Sequence, residues 1–561
     1  MRATLLLLLL SLPAGATERW YVFSMGGTPV GYAVEDVDGA KTRNEVFARL
    51  TRLGKSIEMR LETNSVESAT GELQSLTFEA VLSKQPVRLE ARVEGDEIVI
   101  VTPPHERRIA RGANPLLGPR AVARLSAEKL RAAGSAIEYS VFSPELQRVA
   151  RVKRTAIAAE AACDGTRAMK VEEAIEGLPA TRMLWIDESG VSVGDDVAGP
   201  FGAMRTCRTT RETALAANGT LPTDAYEKTL ARSNIRFADP FAIDRVVLQI
   251  TRNDATLPLP ALAAHNQKIV RQDDDRVIVE VRRDGGEAKP ADEYLKPNAL
   301  IESEHPEIVK VAKELVRSTP RETAQALTRW VAENMSMDGG IVMAPASELI
   351  RDRRATCMGY ATLLASLARA AGIPSRIAMG YVYYGGIWGG HAWTEVILDD
   401  RWVPLDAAVY TPGVASAARF AAGTSSFAEG GGELNAALGT LFGRVDVDVL
   451  EYDAGGRTTR VAADAKPFEI AKDAYVNPGL GLTIPAKGWT IERADATWPS
   501  SLVVAFRRGD DVVELHHRPR YPEKTLPRDG ESMFVDANGG MLWVWSARGP
   551  GASATLRTFV R

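Results

Sequence analysis

The sequence predicts an α+β fold, on three observations. From Trp20 to about Thr210, short alternating apolar runs are separated by turn residues, the pattern of antiparallel strands. At Pro306 the apolar spacing lengthens to that of helices, and a helical pattern recurs from Cys357 to Ala371. Past about Phe468 the alternation returns and continues toward Arg561. A core of helices and strands between β-rich flanks is the expected architecture.

The bulk numbers bound what such a chain does. It has 561 residues, a length that accommodates about three to five domains. Apolar residues make up 45% and charged residues 25%, which excludes disordered, collagenous and coiled-coil classes. Lys and Arg number 68 against 72 Asp and Glu, so a net charge of −4 provides no electrostatic footing for nucleic acid as a partner. Three cysteines are too few for a disulfide-built scaffold.

The elements follow in chain order. Arg2, the apolar run Leu5 to Leu10 and the small-residue site Ala14-Gly15-Ala16 read as a signal peptide over residues 1–16. The alternative, an uncleaved anchor, is disfavoured by the shortness of the apolar run, and no other stretch approaches ~18 apolar residues. The mature chain is therefore expected to be exported, periplasmic or secreted, without stable membrane insertion. In an oxidising compartment Cys163 and Cys207, both in the same β-rich region, are able to pair, which sets Cys357 apart.

A β-rich N-terminal domain is expected over 17–218. It includes the hairpin Ala91-Arg92-Val93 with Ile98-Val99-Ile100, and one helix from about Pro119. A β-rich linker domain is expected over 219–298, with a turn at Asp273-Asp274-Asp275 that lacks the spaced ligands of a calcium loop. The core spans 299–415. Its segment Thr319-Pro320-Arg321-Glu322 has an N-cap, a proline at the first helical position and the glutamate of a capping box, ahead of Leu327, Trp330 and Val331 on one face. Residues 416–465 read as a Gly/Ala/Ser-rich loop with closing strands. A small C-terminal domain, β-rich or α/β, occupies 466–561.

The chemistry is concentrated in the core. Cys357 heads a helical pattern through Ala361, Leu364, Ala368 and Ala371 that Gly372 and Pro374 stop. A cysteine at a helix N-terminus feels the positive end of the macrodipole, which favours thiolate; a buried structural cysteine is the plainer alternative. Downstream, a strand from Ile377 and a Gly-rich loop lead to His391. The run from His391 to Leu398 then turns at Asp399-Asp400 and returns from Arg401 to Asp406. With a two-residue loop, Leu398 pairs with Arg401, His391 faces Ala408, and Asp406 becomes the diagonal neighbour of His391 on the same face. One residue more or less in the loop would turn Asp406 away. Thiol, imidazole and carboxylate in those positions suit acyl transfer: the thiolate attacks, His391 moves the proton, and Asp406 orients the ring.

The ordered motifs Cys357, Gly372-Ile373-Pro374-Ser375-Arg376, His391-Ala392-Trp393 and Trp402 through Asp406 resemble the transglutaminase-like (papain-like cysteine) superfamily core, in its exported bacterial multidomain form. The resemblance covers roughly Pro306 to Pro412. It implies a helix-start cysteine packed on an antiparallel sheet, with Cys357 as nucleophile, His391 as base and Asp406 as orienting acid. The chain departs from the family at Ala355-Thr356 before the cysteine and at Ala407-Ala408 after the aspartate. Trp393, Trp388, Gly390 and Trp402 are candidates for the substrate cleft or for support of the triad.

The opening residues resemble the β-rich N-terminal regions of exported proteins of this type, and Tyr475 through Trp489 resembles a small α/β lipoprotein-type module. His516 and His517 are adjacent on a strand and point to opposite faces, a poor metal pair, so no metal or organic cofactor is expected. The implied activity is acyl transfer at an amide or peptide bond of a protein or peptide substrate, cell-envelope proteins among them. The acceptor, water or amine, stays open. The alternative is a catalytically silent core serving as a cell-envelope binding or assembly module.

Overall fold

The computed structural model describes residues 17–551 apart from 53–54, 179, 200–201, 220–226, 256–257, 260–261, 263, 265, 290, 341–342, 495–500, 521–531 and 538–539. The signal peptide expected at 1–16 lies outside the described residues. Strands dominate the flanks, although the N-terminal part also holds the helix expected from Pro119, Pro119–Lys129; among the described residues, four α-helices follow one another between Pro306 and Ala370.

Fourteen strands of the N-terminal part form one antiparallel sheet. From His105–Ala110 each strand pairs with its chain predecessor back to Thr17–Met25, which pairs with Gly202–Thr209; the order then runs back to Ala136–Ser143. The expected hairpin forms in register, with Ala91 opposite Ile100 and Val93 opposite Ile98. Cys163 and Cys207 are joined as a disulfide with 5.9 Å between their Cα atoms. Gly194, directly opposite Cys207, leaves room for it: a Cβ there would lie 2.9 Å from the Cys163 sulfur.

A second sheet takes its strands from two distant parts of the chain. Its order is Gln267–Gln272, Arg276–Arg282, Ile243–Arg252, Val445–Ala454 and Arg457–Arg460. Alternate residues Val246, Leu248 and Ile250 meet Val277, Val279, Val281, Val445, Val447 and Val449 in one apolar cluster. Arg245, on the other face, bonds Glu280 and Glu451. The linker domain expected at 219–298 and the closing strands expected at 416–465 thus share one sheet, because strands this rich in valine need a partner surface that neither segment supplies alone.

The core consists of α1 (Pro306–Leu315), α2 (Pro320–Asn334), α3 (Ala346–Asp352), α4 (Cys357–Ala370), β1 (Ser375–Tyr384), β2 (Ile387–Leu398), β3 (Arg401–Leu405) and β4 (Arg419–Ser425). The capping box closes as its sequence implies: Glu322 N donates to Thr319 Oγ1, and Thr319 N to the Glu322 carboxylate, both at 3.1 Å. Helix α4 is buried from Met358 to Arg369, so it runs through the interior with no wet face. β1 pairs antiparallel with β2 on one side and with β4 on the other, and β3 pairs with β2.

The core extends past the expected limit at 415, because β4 lies inside the stretch read as a loop. Gly380 of β1 lets β4 approach closely, since a Cβ there would be 2.0 Å from the Phe420 carbonyl oxygen. In the C-terminal part, the described residues form three- and five-stranded sheets with a short 3₁₀ turn at Pro478–Leu480, and no α-helix occurs among them. The α/β option for that region is therefore replaced by an all-β arrangement over the described residues.

Candidate active site

Cys357 is the first residue of α4, half-buried, behind an extended Thr356 whose carbonyl accepts from the amides of Gly359 and Tyr360. The approach to it is held in place. Met337 pairs in parallel with Ala355, and the Asp338 amide donates to the Ala355 carbonyl. Gly359 lets the first turn sit against α3, since a Cβ there would be 2.2 Å from the Ala355 Cβ and 2.9 Å from a Leu349 methyl.

His391 lies on β2 opposite Gly380 and is 4% exposed. The hairpin that carries the aspartate has the expected two-residue loop. Asp399 and Asp400 have φ of 52° and 55°, the turn that suits a right-twisted hairpin, and Leu398 pairs with Arg401 through to Thr394 with Leu405. Pairing then ends, so Ala408 does not come to face His391. The Asp406 carboxylate bends the chain away instead, its Oδ1 accepting from the amides of Ala408 (3.0 Å) and Val409 (2.9 Å). Asp406, the first residue past the ladder, keeps its reach: its Oδ2 lies 2.8 Å from His391 Nε2.

The same Oδ2 also accepts from Arg419 Nη1 at 2.7 Å. Arg419 escaped the sequence reading. It opens β4 within the small-residue stretch, where a lone arginine looks solvated. Trp393 stacks beside His391 with ring centroids 6.3 Å apart, and the Arg419 guanidinium lies 5.3 Å from the Trp393 centroid.

The charges are strongly coupled. Burial opposes a charged imidazole here, yet the charge and hydrogen bond of Asp406, with those of Cys357, more than offset it and push His391 up to about 9. Burial likewise opposes a charged Asp406. The charges of His391 and Arg419, together with hydrogen bonds from His391 and the Val409 amide, outweigh it and hold the carboxyl well below the usual carboxylate range. Both effects favour an imidazolium on a carboxylate. With Nε2 committed to Asp406, Nδ1 is the ring nitrogen left for the Cys357 sulfur.

The remaining candidates divide. Trp393, itself 1% exposed, stands beside the histidine, whereas Trp388 and Trp402 are buried in packing of their own and Gly390 is half-buried. Trp388 is fully buried with Tyr383 and Phe420 in the cluster shared with the second sheet. Gly390 is where the Phe442 ring rests, 2.6 Å from a Cβ position, and Trp402 is buried under the Arg376 guanidinium at 3.8 Å. Large apolar rings at these sites were claimed by packing.

The N-terminal sheet also reaches this region. Glu348 of α3, 1% exposed, accepts from Ser83 Oγ (3.1 Å) and the Gln85 amide (2.9 Å), and Lys84 pairs with Asp352 at 2.6 Å. Val87 then packs on the apolar cluster of Met358, Ala361, Ile377 and Ala392 that Cys357 also borders.

A family model described as the transglutaminase-like superfamily matches residues 309–407. The chain carries a transglutaminase-like core. Among curated proteins, none matches the chain. Solved structures similar to it include a β-barrel-like protein from Brucella abortus, at 13% identity and TM-score 0.28, covering 34% of this chain and 95% of that one. Another is a protein from Cytophaga hutchinsonii provisionally described as a cysteine protease, at 18% identity and TM-score 0.25, covering 41% of this chain and 92% of that one. A third, from Parabacteroides distasonis and provisionally described as a protease, has 11% identity and TM-score 0.18, with coverage of 92% and 95%.

Proposed function

We propose that this chain is an exported, cysteine-dependent enzyme that transfers acyl groups from amide or peptide bonds through a thioester on Cys357. The observation that carries the reading is the chain of contacts from the helix-start sulfur to His391, and from His391 Nε2 to Asp406 Oδ2 at 2.8 Å, within the transglutaminase-like core. The thiolate attacks the acyl carbon and the C–N bond breaks. His391 delivers its proton to the departing amine, and Asp406 holds the ring throughout. Water or an amine then gives that proton back to His391 as it attacks the thioester, and the Cys357 thiolate leaves. Protein or peptide substrates of the cell envelope fit an exported enzyme. Removal of residues 1–16 belongs to the same proposal, which the Cys163–Cys207 disulfide supports, since such bonds persist in oxidising compartments.

The test is the pH dependence of Cys357 alkylation by iodoacetamide, in the chain from Thr17 and in His391→Ala. The expected thiol reacts well below the ~8.5 of an ordinary cysteine and loses that reactivity, by about 10²-fold near pH 6.5, with the histidine. An ordinary thiol unchanged by the substitution would sink the enzyme reading and leave the core as a binding module.

A further inference from the structure

Asp406 is bonded at every side. Oδ1 holds the Ala408 and Val409 amides, while Oδ2 is divided between His391 Nε2 at 2.8 Å and Arg419 Nη1 at 2.7 Å. Arg419 is itself fixed, 1% exposed, with its Nε donating to the Ser416 carbonyl at 3.0 Å and its guanidinium beside Trp393. Two cationic groups thus meet one carboxylate oxygen where water is excluded, and electrostatic terms are large in such places.

We propose that Arg419 is a positioning residue of this site: it locks the Asp406 carboxylate in the orientation His391 needs and, by sharing Oδ2, limits how tightly that carboxylate holds the imidazolium. The proposal rests on the Cys357–His391–Asp406 reading above.

The groups acting directly on His391 are Cys357 from α4 and Asp406 past β3, and Arg419 from β4 joins them through the shared Oδ2 of Asp406. Arg283, which follows the strand Arg276–Arg282, feels the charge of Arg419 from farther back. An imidazolium held by an unshared carboxylate is a reluctant acid, and the leaving amine needs its proton. Arg419 opposes that in two ways. Its like charge disfavours the imidazolium, and its hydrogen bond draws electron density from the oxygen that His391 uses.

The experiment is a histidine-selective NMR titration of the chain from Thr17. Six histidines keep the spectrum simple, and His391→Gln identifies the signal. In Arg419→Met the His391 midpoint is expected to rise by about one pH unit, and in Arg419→Lys, which keeps the charge, to stay within a few tenths. An unchanged midpoint in folded Arg419→Met overturns the proposal, whatever happens to thiol reactivity. If that variant fails to fold, Arg419→Gln is read the same way, and unfolding of both assigns Arg419 to the fold and also overturns it. Iodoacetamide reactivity of the unsubstituted chain keeps the two ideas apart. An ordinary thiol with the midpoint shift present sinks the enzyme reading alone; a reactive thiol with no shift sinks only the role of Arg419.

Discussion

Two buried arginine–carboxylate pairs of the core are built differently. Arg376 on β1 faces Glu395 on β2 in direct register, both side chains 3% exposed; Nε donates to Oε2 at 2.8 Å, Nη2 bonds the same oxygen, and the guanidinium is covered by Trp402. Arg419 and Asp406 are equally buried, but their carboxylate lies past the end of a strand and takes the imidazole of His391 as a third party. The first pair is closed, one anion matched to one cation. The second is open, one anion between two cationic groups. A buried pair costs desolvation whatever its use, so burial by itself does not distinguish a strut from a site; the second pair differs in that its carboxylate also holds the imidazole of His391.

The strongest way to break that contrast is to remove an anion from the closed pair. Glu395→Gln strands a buried guanidinium and is expected to cost about 3–5 kcal/mol in urea unfolding, while iodoacetamide reactivity of the folded protein stays within about twofold. A matching loss of thiol reactivity would erase the distinction between the two pairs. Next in size is Asp406→Asn. Without the carboxylate, burial acts on His391 with less opposition, so its midpoint moves down from about 9. Alkylation of Cys357 at pH 7 is expected to slow by about 10²-fold, read on the folded fraction because Arg419 is then left without its anion. A midpoint that stays near 9 would mean that Cys357, not Asp406, governs the histidine. The smallest effect belongs outside the sheet: Thr319→Ala removes one side of the α2 capping box and should cost about 1 kcal/mol, with no change in the pH profile of alkylation.

What was readable ahead of the structure was local. The helix start at Cys357, its stop at Gly372 and the capping box at Thr319 each depend on a few adjacent residues whose backbone preferences agree. The hairpin register was readable too, because a two-residue turn leaves one pairing and the side-chain period leaves one face. The expectation failed where it extrapolated the ladder to Ala408, past a carboxylate that prefers to bond its own downstream amides. Tryptophans near the histidine were read as cleft residues or as support for the triad, and packing among distant elements decides where a large ring goes; Trp388, Trp393 and Trp402 are all in the interior, with Trp393 beside His391.

By itself the sequence determined which residues start the helix, which strand bears His391 and how far the turn brings Asp406 back, because each is set by short-range geometry. Only the tertiary structure decided that Arg419, read as part of a loop, shares the aspartate's oxygen, and that Ser83 and Gln85 are tied to Glu348, 265 residues from Ser83. Such contacts are fixed by which surfaces must be buried together and which charges then lack water. No local pattern encodes that, because the energy that selects them exists only once the distant segments have met.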